Sequence, residues 1–273
     1  MTTSVEENRA LYLDLLKRCL TNWIYAPSEW EKVRPRGPIQ RLAAPLLARD
    51  HIFLARATEF DQEKRLNGLD WPIQAHTMIG LKRLGNLQFC LEDVISRGVP
   101  GDFIETGVWR GGSTIFMRAV LKSYAITDRK VWVADSFQGL PKPDAERYPD
   151  DAGDTHHIYD ELRVSLENVR ANFDAYGLLD DQVRFLKGWF RDTLPHAPID
   201  RLAVLRLDGD MYESTIVALQ SLYPKVSTGG YVIVDDYCIE SCAKAVQDFR
   251  SANAITDEII PIDGTGVFWR RST

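Results

Sequence analysis

Four aspartates stand at the ends of two predicted strands. Asp208 and Asp210 follow one short apolar run, and Asp235 and Asp236 follow the next. Adjacent parallel strands would bring the four carboxylates to one edge of a sheet, where crowded negative charges raise one another's pKa values unless a cation neutralises them. Carboxylate oxygens suit a hard divalent cation such as Mg²⁺. The pattern therefore predicts a metal site; the alternative is that one or two of these acids are helix caps or ion-pair partners.

A glycine-rich turn follows the first predicted strand, in the run Glu105-Thr-Gly107-Val-Trp-Arg-Gly111-Gly112-Ser113. Glycines let the backbone turn sharply and approach a ligand closely, and Ser113 suits the start of a helix. The spacing differs from the dinucleotide fingerprint and looks like the cofactor loop of methyltransferases, in which Glu105 would face the amino-acid end of the cofactor. The alternative is a tight turn with a solvated glutamate.

Two further polar groups could belong to the same site. Asp135 and Ser136 close the second predicted strand, where a carboxylate can accept hydrogen bonds from both hydroxyls of a ribose; a turn or cap aspartate is the alternative. His156 and His157 fall in a polar stretch that could cover the site. A catalytic role is open for them, although a solvated loop pair is the favoured interpretation.

The elements that must position these groups change character along the chain. Up to residue 97 the apolar spacing predicts helices, and from residue 101 short strands alternate with helices, which indicates a parallel sheet covered on both faces. The last two runs, separated by Gly-Thr-Gly, predict an antiparallel hairpin. The predicted fold is therefore α/β, a doubly wound Rossmann-like methyltransferase sheet that ends in this hairpin. The predicted helices cover residues 8–24, 40–66, 74–97, 113–125, 160–176, 213–225 and 240–252, and the predicted strands cover residues 102–108, 130–135, 183–186, 202–207, 231–234, 258–263 and 267–271.

Two regions follow from this change: a helical N-terminal extension, 1–73, that acts as a lid or oligomer contact, and a catalytic domain, 74–273. Apolar residues in the extension predict a homodimer or larger homo-oligomer. The 273 residues carry a net charge of −6 and 45% apolar residues, which argues against a nucleic-acid partner and suits a small-molecule enzyme. Neither a membrane span nor a signal peptide is evident, so a cytoplasmic protein without a membrane partner is expected.

Several motifs in one order resemble the macrocin O-methyltransferase family, whose members methylate sugar hydroxyls on natural products. The similarity runs from Leu11 to Arg271 and departs most over residues 28–71. The motifs that carry it are Ala75-His-Thr-Met78-Ile-Gly, the Glu105–Gly112 run, Val133-Ala-Asp-Ser-Phe-Gln-Gly139, Asp208-Gly-Asp210 and Ile233-Val-Asp-Asp-Tyr-Cys238.

The resemblance implies S-adenosylmethionine as methyl donor, Mg²⁺ as cofactor and a small glycosylated molecule as acceptor. It implies metal binding by Asp208, Asp235 and Asp236, and leaves the general base open between Asp208 and Asp210. Met78 and Glu161 fall where relatives approach the cofactor or the sugar. The positions that match cofactor-binding residues are Thr77, Met78, Glu105, Gly107, Gly111, Ser113, Asp135 and Ser136. The alternatives are a metal-dependent O-methyltransferase of a non-sugar molecule, a nicotinamide-dependent oxidoreductase, a metal-dependent hydrolase and a non-enzymatic binding module.

Overall fold

A seven-stranded sheet forms the centre of the molecule. The computed structural model describes residues 4–49 and 51–272. The strand order is β5-β4-β3-β6-β7-β9-β8, and β9 pairs antiparallel with both β7 and β8. The strands are β1 (Trp30–Lys32), β2 (Ala55–Ala57), β3 (Asp102–Thr106), β4 (Val131–Asp135), β5 (Val183–Lys187), β6 (Leu202–Leu207), β7 (Val226–Val234), β8 (Ile260–Pro261) and β9 (Val267–Arg270). The doubly wound sheet and its terminal hairpin confirm the predicted fold class.

The strand order reverses between β3 and β6, which lie side by side and parallel. In open α/β sheets, ligands bind outside the carboxyl ends of the strands at such a switch point. Register places Glu105 beside Arg206 and Thr106 beside Leu207. The glycine-rich turn after β3 and the aspartates after β6 therefore leave the sheet next to each other.

Helices cover both faces of the sheet because its strands are apolar on both sides. On one face, Phe103, Val133 and Ile233 pack against helices α1, α4, α5 and α6. On the other, Ile104, Leu205 and Val232 pack against α8 and α9. The helices are α1 (Val5–Leu20), α2 (Pro38–Arg49), α3 (Gln62–Asn67), α4 (Gly80–Ser96), α5 (Gly112–Ser123), α6 (Leu166–Ala175), α7 (Phe190–Thr193), α8 (Tyr212–Leu222) and α9 (Glu240–Ala252).

The N-terminal extension differs from the sequence prediction. The single helix expected over 40–66 is wrong, because α2 ends at Arg49, β2 pairs with β1, and α3 begins only at Gln62 after its cap Asp61. Helix α1 shares the main core through Leu13, Leu16 and Leu20. Apolar side chains of the extension lie exposed, among them Leu11, Ile39 and Leu42, and the homo-oligomer inferred from them stays a prediction.

Several predicted elements begin or end elsewhere. Helix α1 spans Val5–Leu20 rather than 8–24, and β7 begins at Val226 rather than at 231. Helix α4 begins at Gly80 rather than near 74, so Thr77 and Met78 lie in the loop before it. Helix α6 begins after its cap Ser165, because residues 160–162 form a separate 3₁₀ turn. Helix α8 ends at Leu222 before another 3₁₀ turn. Over the described part of the chain, each helix is too short or too polar to cross a lipid bilayer.

Candidate active site

A cavity of about 280 Å³ opens at the carboxyl ends of β3, β4, β6 and β7. Both groups of residues singled out in the sequence line it. The predicted residues on its wall are Thr77, Met78, Glu105, Gly107, Ser113, Asp135, Ser136, Asp208, Asp210, Asp235 and Asp236. The structure therefore brings the aspartate cluster and the glycine-rich turn into one concave site.

Gly107 makes this closeness possible. Its φ is +84°, and a Cβ placed on it would lie 1.6 Å from the carbonyl oxygen of Asp208. The backbone nitrogen of Asp208 donates to the carbonyl of Thr106 at 2.9 Å. Because only glycine leaves room for this contact, the turn after β3 touches the strand end that carries the aspartates.

The carboxylates of Asp208, Asp235 and Asp236 converge as the sequence predicts. Each offers an oxygen, and these oxygens all lie within 4.8 Å of one another. Asp210 stands at φ +57°, and its backbone nitrogen donates to Asp236 Oδ2 at 3.1 Å. The strained backbone at Asp210 thus turns the chain toward the end of β7 and fixes the side chain of Asp236.

Two buried arginines, which the sequence analysis did not include in the site, neutralise part of this cluster. Arg206 points from β6 and pairs with Glu105 and Asp235, and its Nη1 lies 2.7 Å from Asp208 Oδ2. Arg83 pairs with the other oxygen of Asp235 and lies 3.2 Å from Asp263. The ion-pair alternative therefore holds for Asp208 and Asp235. A signal existed for Arg206: it interrupts an apolar strand run, where an unpaired charge would be costly.

Negative charge remains in excess after this pairing. Burial and then the charge of Asp208 raise the pKa of Asp210 to about 7, and burial with the charges of Asp210 and Asp208 raises the pKa of Asp236 well above its usual range. A hard cation beside Asp236 would relieve this repulsion through oxygen ligands of the kind it prefers. The carboxylates Asp208, Asp235 and Asp236 thus fit a divalent metal, while Arg83 and Arg206 each pair with one oxygen of Asp235.

Glu105 occupies the other half of the cavity. Burial raises its pKa to about 8 despite the opposing charge of Arg206. One of its oxygens pairs with Arg206, and the other is buried without a hydrogen-bond partner. A buried acceptor of this kind is costly unless a ligand donor reaches it. Glu105 therefore fits the predicted role of holding a cationic or hydrogen-bonding end of a cofactor.

Asp135 lies at the end of β4, and its carboxylate also organises the loops around it. Its oxygens accept from the backbone nitrogens of Val108 at 2.8 Å and Phe137 at 2.6 Å. Ser136 donates from Oγ to the carbonyl of Gly139 at 2.7 Å. A carboxylate offers about four lone-pair sites, so Asp135 can accept from ligand hydroxyls as well. Turn support and cofactor binding are compatible here.

The remaining predicted residues divide between the cavity and its surroundings. Thr77 and Met78 lie on the cavity wall. Just before them, the carbonyl of His76 accepts a hydrogen bond from the backbone nitrogen of Gly112 at 2.9 Å. Gly111 stands at φ +86° at the start of α5 and supports the turn from outside the cavity lining. The side chain of Glu161 is exposed at a neighbouring polar cleft, and its carbonyl accepts from Trp109 Nε1 at 2.8 Å.

Comparison with known proteins accounts for this arrangement. Residues 9–271 match the family model described as macrocin-O-methyltransferase (TylF). The chain is 54% identical over 268 residues, covering 98% of itself and 95% of the relative, to the 8-demethyl-8-(2,3-dimethoxy-alpha-L-rhamnosyl)-tetracenomycin-C 4'-O-methyltransferase of Streptomyces olivaceus. It is 51% identical over 265 residues, 96% of each chain, to the mycinamicin III 3''-O-methyltransferase of Micromonospora griseorubida.

A solved structure agrees in both fold and sequence. The O-methyltransferase NovP superimposes with a TM-score of 0.84 at 49% identity, over 97% of this chain and 100% of that one. The matches cover the N-terminal extension as well as the sheet, and this extent leaves the predicted oxidoreductase and hydrolase alternatives without support. The chain belongs to the TylF macrocin-O-methyltransferase family and is an O-methyltransferase.

Proposed function

We propose that this enzyme transfers a methyl group from S-adenosylmethionine to a sugar hydroxyl of a glycosylated natural product and that it requires a divalent metal, Mg²⁺ by preference. The names of two relatives support the acceptor class. One name includes a dimethoxy-rhamnosyl tetracenomycin, and the other includes mycinamicin III. The donor follows from the family, whose members are methyltransferases.

One observation carries the proposal: a single cavity joins the acid cluster after β6 and β7 to the Glu105 and Asp135 side of the sheet edge. Transfer between two bound molecules requires the reacting atoms to lie about 3–3.5 Å apart and in line. Two separate sites could not achieve this. The close contact of Gly107 with Asp208 at the shared wall supports a donor bound directly beside an acceptor.

The chain's own residues divide the chemical work. Asp208, Asp235 and Asp236 would hold the metal, which when bound lowers the pKa of a hydroxyl and orients it. Glu105 and Asp135 would hold the donor, and the sequence leaves the proton acceptor open between Asp208 and Asp210. The sulfonium loses its positive charge during transfer, so the protein need not stabilise a new anion. Alignment and exclusion of water are its main tasks.

The acceptor class is tested with labelled S-adenosylmethionine, Mg²⁺ and a panel of deoxysugar-bearing natural products beside non-sugar catechols. We expect label on a sugar hydroxyl. Methylation of catechols alone would contradict the sugar assignment and favour a non-sugar acceptor.

The metal role is tested with Asp208→Asn. We expect turnover to fall by at least about 100-fold, since the variant loses a ligand charge, while the Kd for S-adenosylmethionine measured by calorimetry stays within about threefold. Asp200→Asn, at an exposed position before β6, serves as a control.

Chelation provides an independent test. Excess chelator should abolish turnover, because it removes the cation from the acid cluster. Added Mg²⁺ should then restore turnover. Full activity in excess chelator would refute the metal role and leave the methyl-transfer assignment intact.

A further inference from the structure

His156 adds a second chemically capable group to the cavity, apart from the acid cluster. It lies on a 3₁₀ turn, His156–Ile158, within the segment 136–165 that connects β4 to α6. Its side chain lines the same cavity as Asp210. Its side chain is 36% exposed, so solvent and cavity both reach it, and the catalytic role left open by the sequence can be argued from its contacts.

Asp154 holds the imidazole in one orientation. Asp154 Oδ2 lies 2.6 Å from His156 Nδ1, and Asp154 Oδ1 accepts from the backbone nitrogen of His156 at 2.8 Å. A carboxylate on Nδ1 fixes the neutral tautomer that carries its proton there. The other nitrogen, Nε2, is then the one with a lone pair. An aspartate that orients a histidine in this way is the usual support of a general base.

A third acid, five residues before His156, attaches the same loop to the edge of the sheet. Asp151 is buried, and its two carboxylate oxygens accept from the backbone nitrogens of Tyr212 at 2.6 Å and Glu213 at 2.9 Å. These nitrogens open helix α8, which begins two residues after Asp210. His156 is therefore tied, through the loop that carries it, to the helix that begins beside the acid cluster.

We propose that His156 is the catalytic residue that takes the proton from the acceptor hydroxyl; this rests on the proposed sugar O-methylation. The hydroxyl O–H bond breaks and its proton forms a bond to His156 Nε2. The oxygen lone pair forms the new O–CH₃ bond, and the S–CH₃ bond breaks with its electron pair left on sulfur. The products are a methyl ether, a neutral thioether and an imidazolium.

The charges around the ring favour that imidazolium. Asp154 faces it from its own segment, Asp210 from the connection between β6 and α8, and the ring of Tyr159 lies 6.2 Å away. Burial alone would lower the pKa of His156, but the hydrogen bond to Asp154 and the charge of Asp210 outweigh it and raise the pKa. Asp208 is less suited to take the proton, because Arg206 already occupies one of its oxygens.

The first test replaces His156 by Gln, with His157→Gln as the matched control on the adjacent residue. We expect kcat to fall by about 100-fold in His156→Gln, within the range that general bases contribute. The acceptor KM and the Kd for S-adenosylmethionine should change by less than about threefold. His157→Gln should keep kcat within about twofold, and circular dichroism should show that both variants are folded.

The second test separates a proton acceptor from a structural residue. Removing the Asp154 charge with Asp154→Asn lowers the pKa of His156, so the acid limb of the pH–kcat profile should move to lower pH. Imidazole in solution should partly restore His156→Gly. A purely structural histidine would show neither effect.

Two results would overturn the inference. A folded His156→Gln enzyme with kcat within twofold of the wild type would do so, as would an acid limb that stays in place in Asp154→Asn. Either result leaves the proposed function standing. If instead the wild-type enzyme methylates no sugar acceptor, the proposed function fails and the role of His156 fails with it.

Discussion

Glycine 107 illustrates how one residue decides the distance between two halves of a site. The sequence predicts a close backbone approach at this turn, and the structure shows that the approach is to the carbonyl of Asp208 rather than to a ligand alone. The identity of that partner is a long-range property, because the two residues are 101 positions apart along the chain (208 − 107) and are brought together by the pairing of β3 with β6.

We expect Gly107→Ala to destabilise the protein and to displace Asp208. Gly98→Ala is the matched control, because Gly98 also has positive φ, +64°, yet a Cβ there meets no atom within 4 Å. The control should lose about 1–2 kcal/mol, the cost of a left-handed alanine. Gly107→Ala should lose clearly more, together with metal affinity. Urea denaturation and calorimetric Mg²⁺ titration measure the two effects; equal losses in both variants would contradict the steric argument.

Arg206 and Arg83 show the limit of the sequence at the residue scale. The four acids were predicted together because each follows a strand end, and strand ends meet at one edge. The arginines follow no such rule: Arg206 is recognisable only as a charge within an apolar strand, and Arg83 lies on α4, whose packing the local sequence does not reveal. The two guanidinium groups therefore neutralise part of the aspartate charge that the sequence analysis attributed to a metal.

At the scale of elements, the start of helix α8 depends on a residue far away in sequence. The N-cap position, Met211, offers no side-chain hydrogen bond, and Asp151 supplies both acceptors instead. Local cap signals of the kind that predicted other helix starts are absent from this position. Likewise, the pairing of β1 with β2, which divides the expected helix 40–66, joins residues too far apart for periodicity to predict.

We expect Asp151→Ala to lower stability by about 1–2 kcal/mol, as for the loss of a strong helix cap, and to lower kcat because His156 is carried by the same loop. The neighbouring Asp150→Ala removes an ion pair with Lys244 that is partly exposed, and should cost at most about 1 kcal/mol. Thermal unfolding and steady-state kinetics compare the two; a control as damaging as Asp151→Ala would contradict the capping role.

On the scale of the whole molecule, the cavity is closed by two segments outside the sheet. Trp71 of the N-terminal extension lines it and meets the ring of Tyr159, from the segment 136–165, edge to face at 5.4 Å. Trp71 is also 54% exposed, so its ring presents an apolar surface at the mouth. This residue ends the region 28–71, over which the sequence analysis expects the weakest resemblance, and contact with the acceptor is a prediction for it.

We expect Trp71→Ala to raise the acceptor KM by about tenfold, while the Kd for S-adenosylmethionine stays unchanged, because a lost aromatic contact removes about 1–2 kcal/mol from binding. Trp30→Ala, at an equally exposed tryptophan in β1, should leave KM unchanged. Initial-rate kinetics with saturating donor provide the comparison. A selective loss of donor affinity in Trp71→Ala would contradict the prediction, because Trp71 would then contact the donor rather than the acceptor.

The guanidinium of Arg206 contacts Glu105 and Asp208 through Nη1 and Asp235 through Nη2. A ligand that binds Glu105 or the aspartates would therefore change the hydrogen bonds that Arg206 makes to the other group. Thermodynamic reciprocity then applies: the factor by which a bound donor changes the affinity for the ion equals the factor by which the ion changes the affinity for the donor. For the proposed donor and ion, an affinity measured with one partner alone would therefore differ from the affinity in the presence of both.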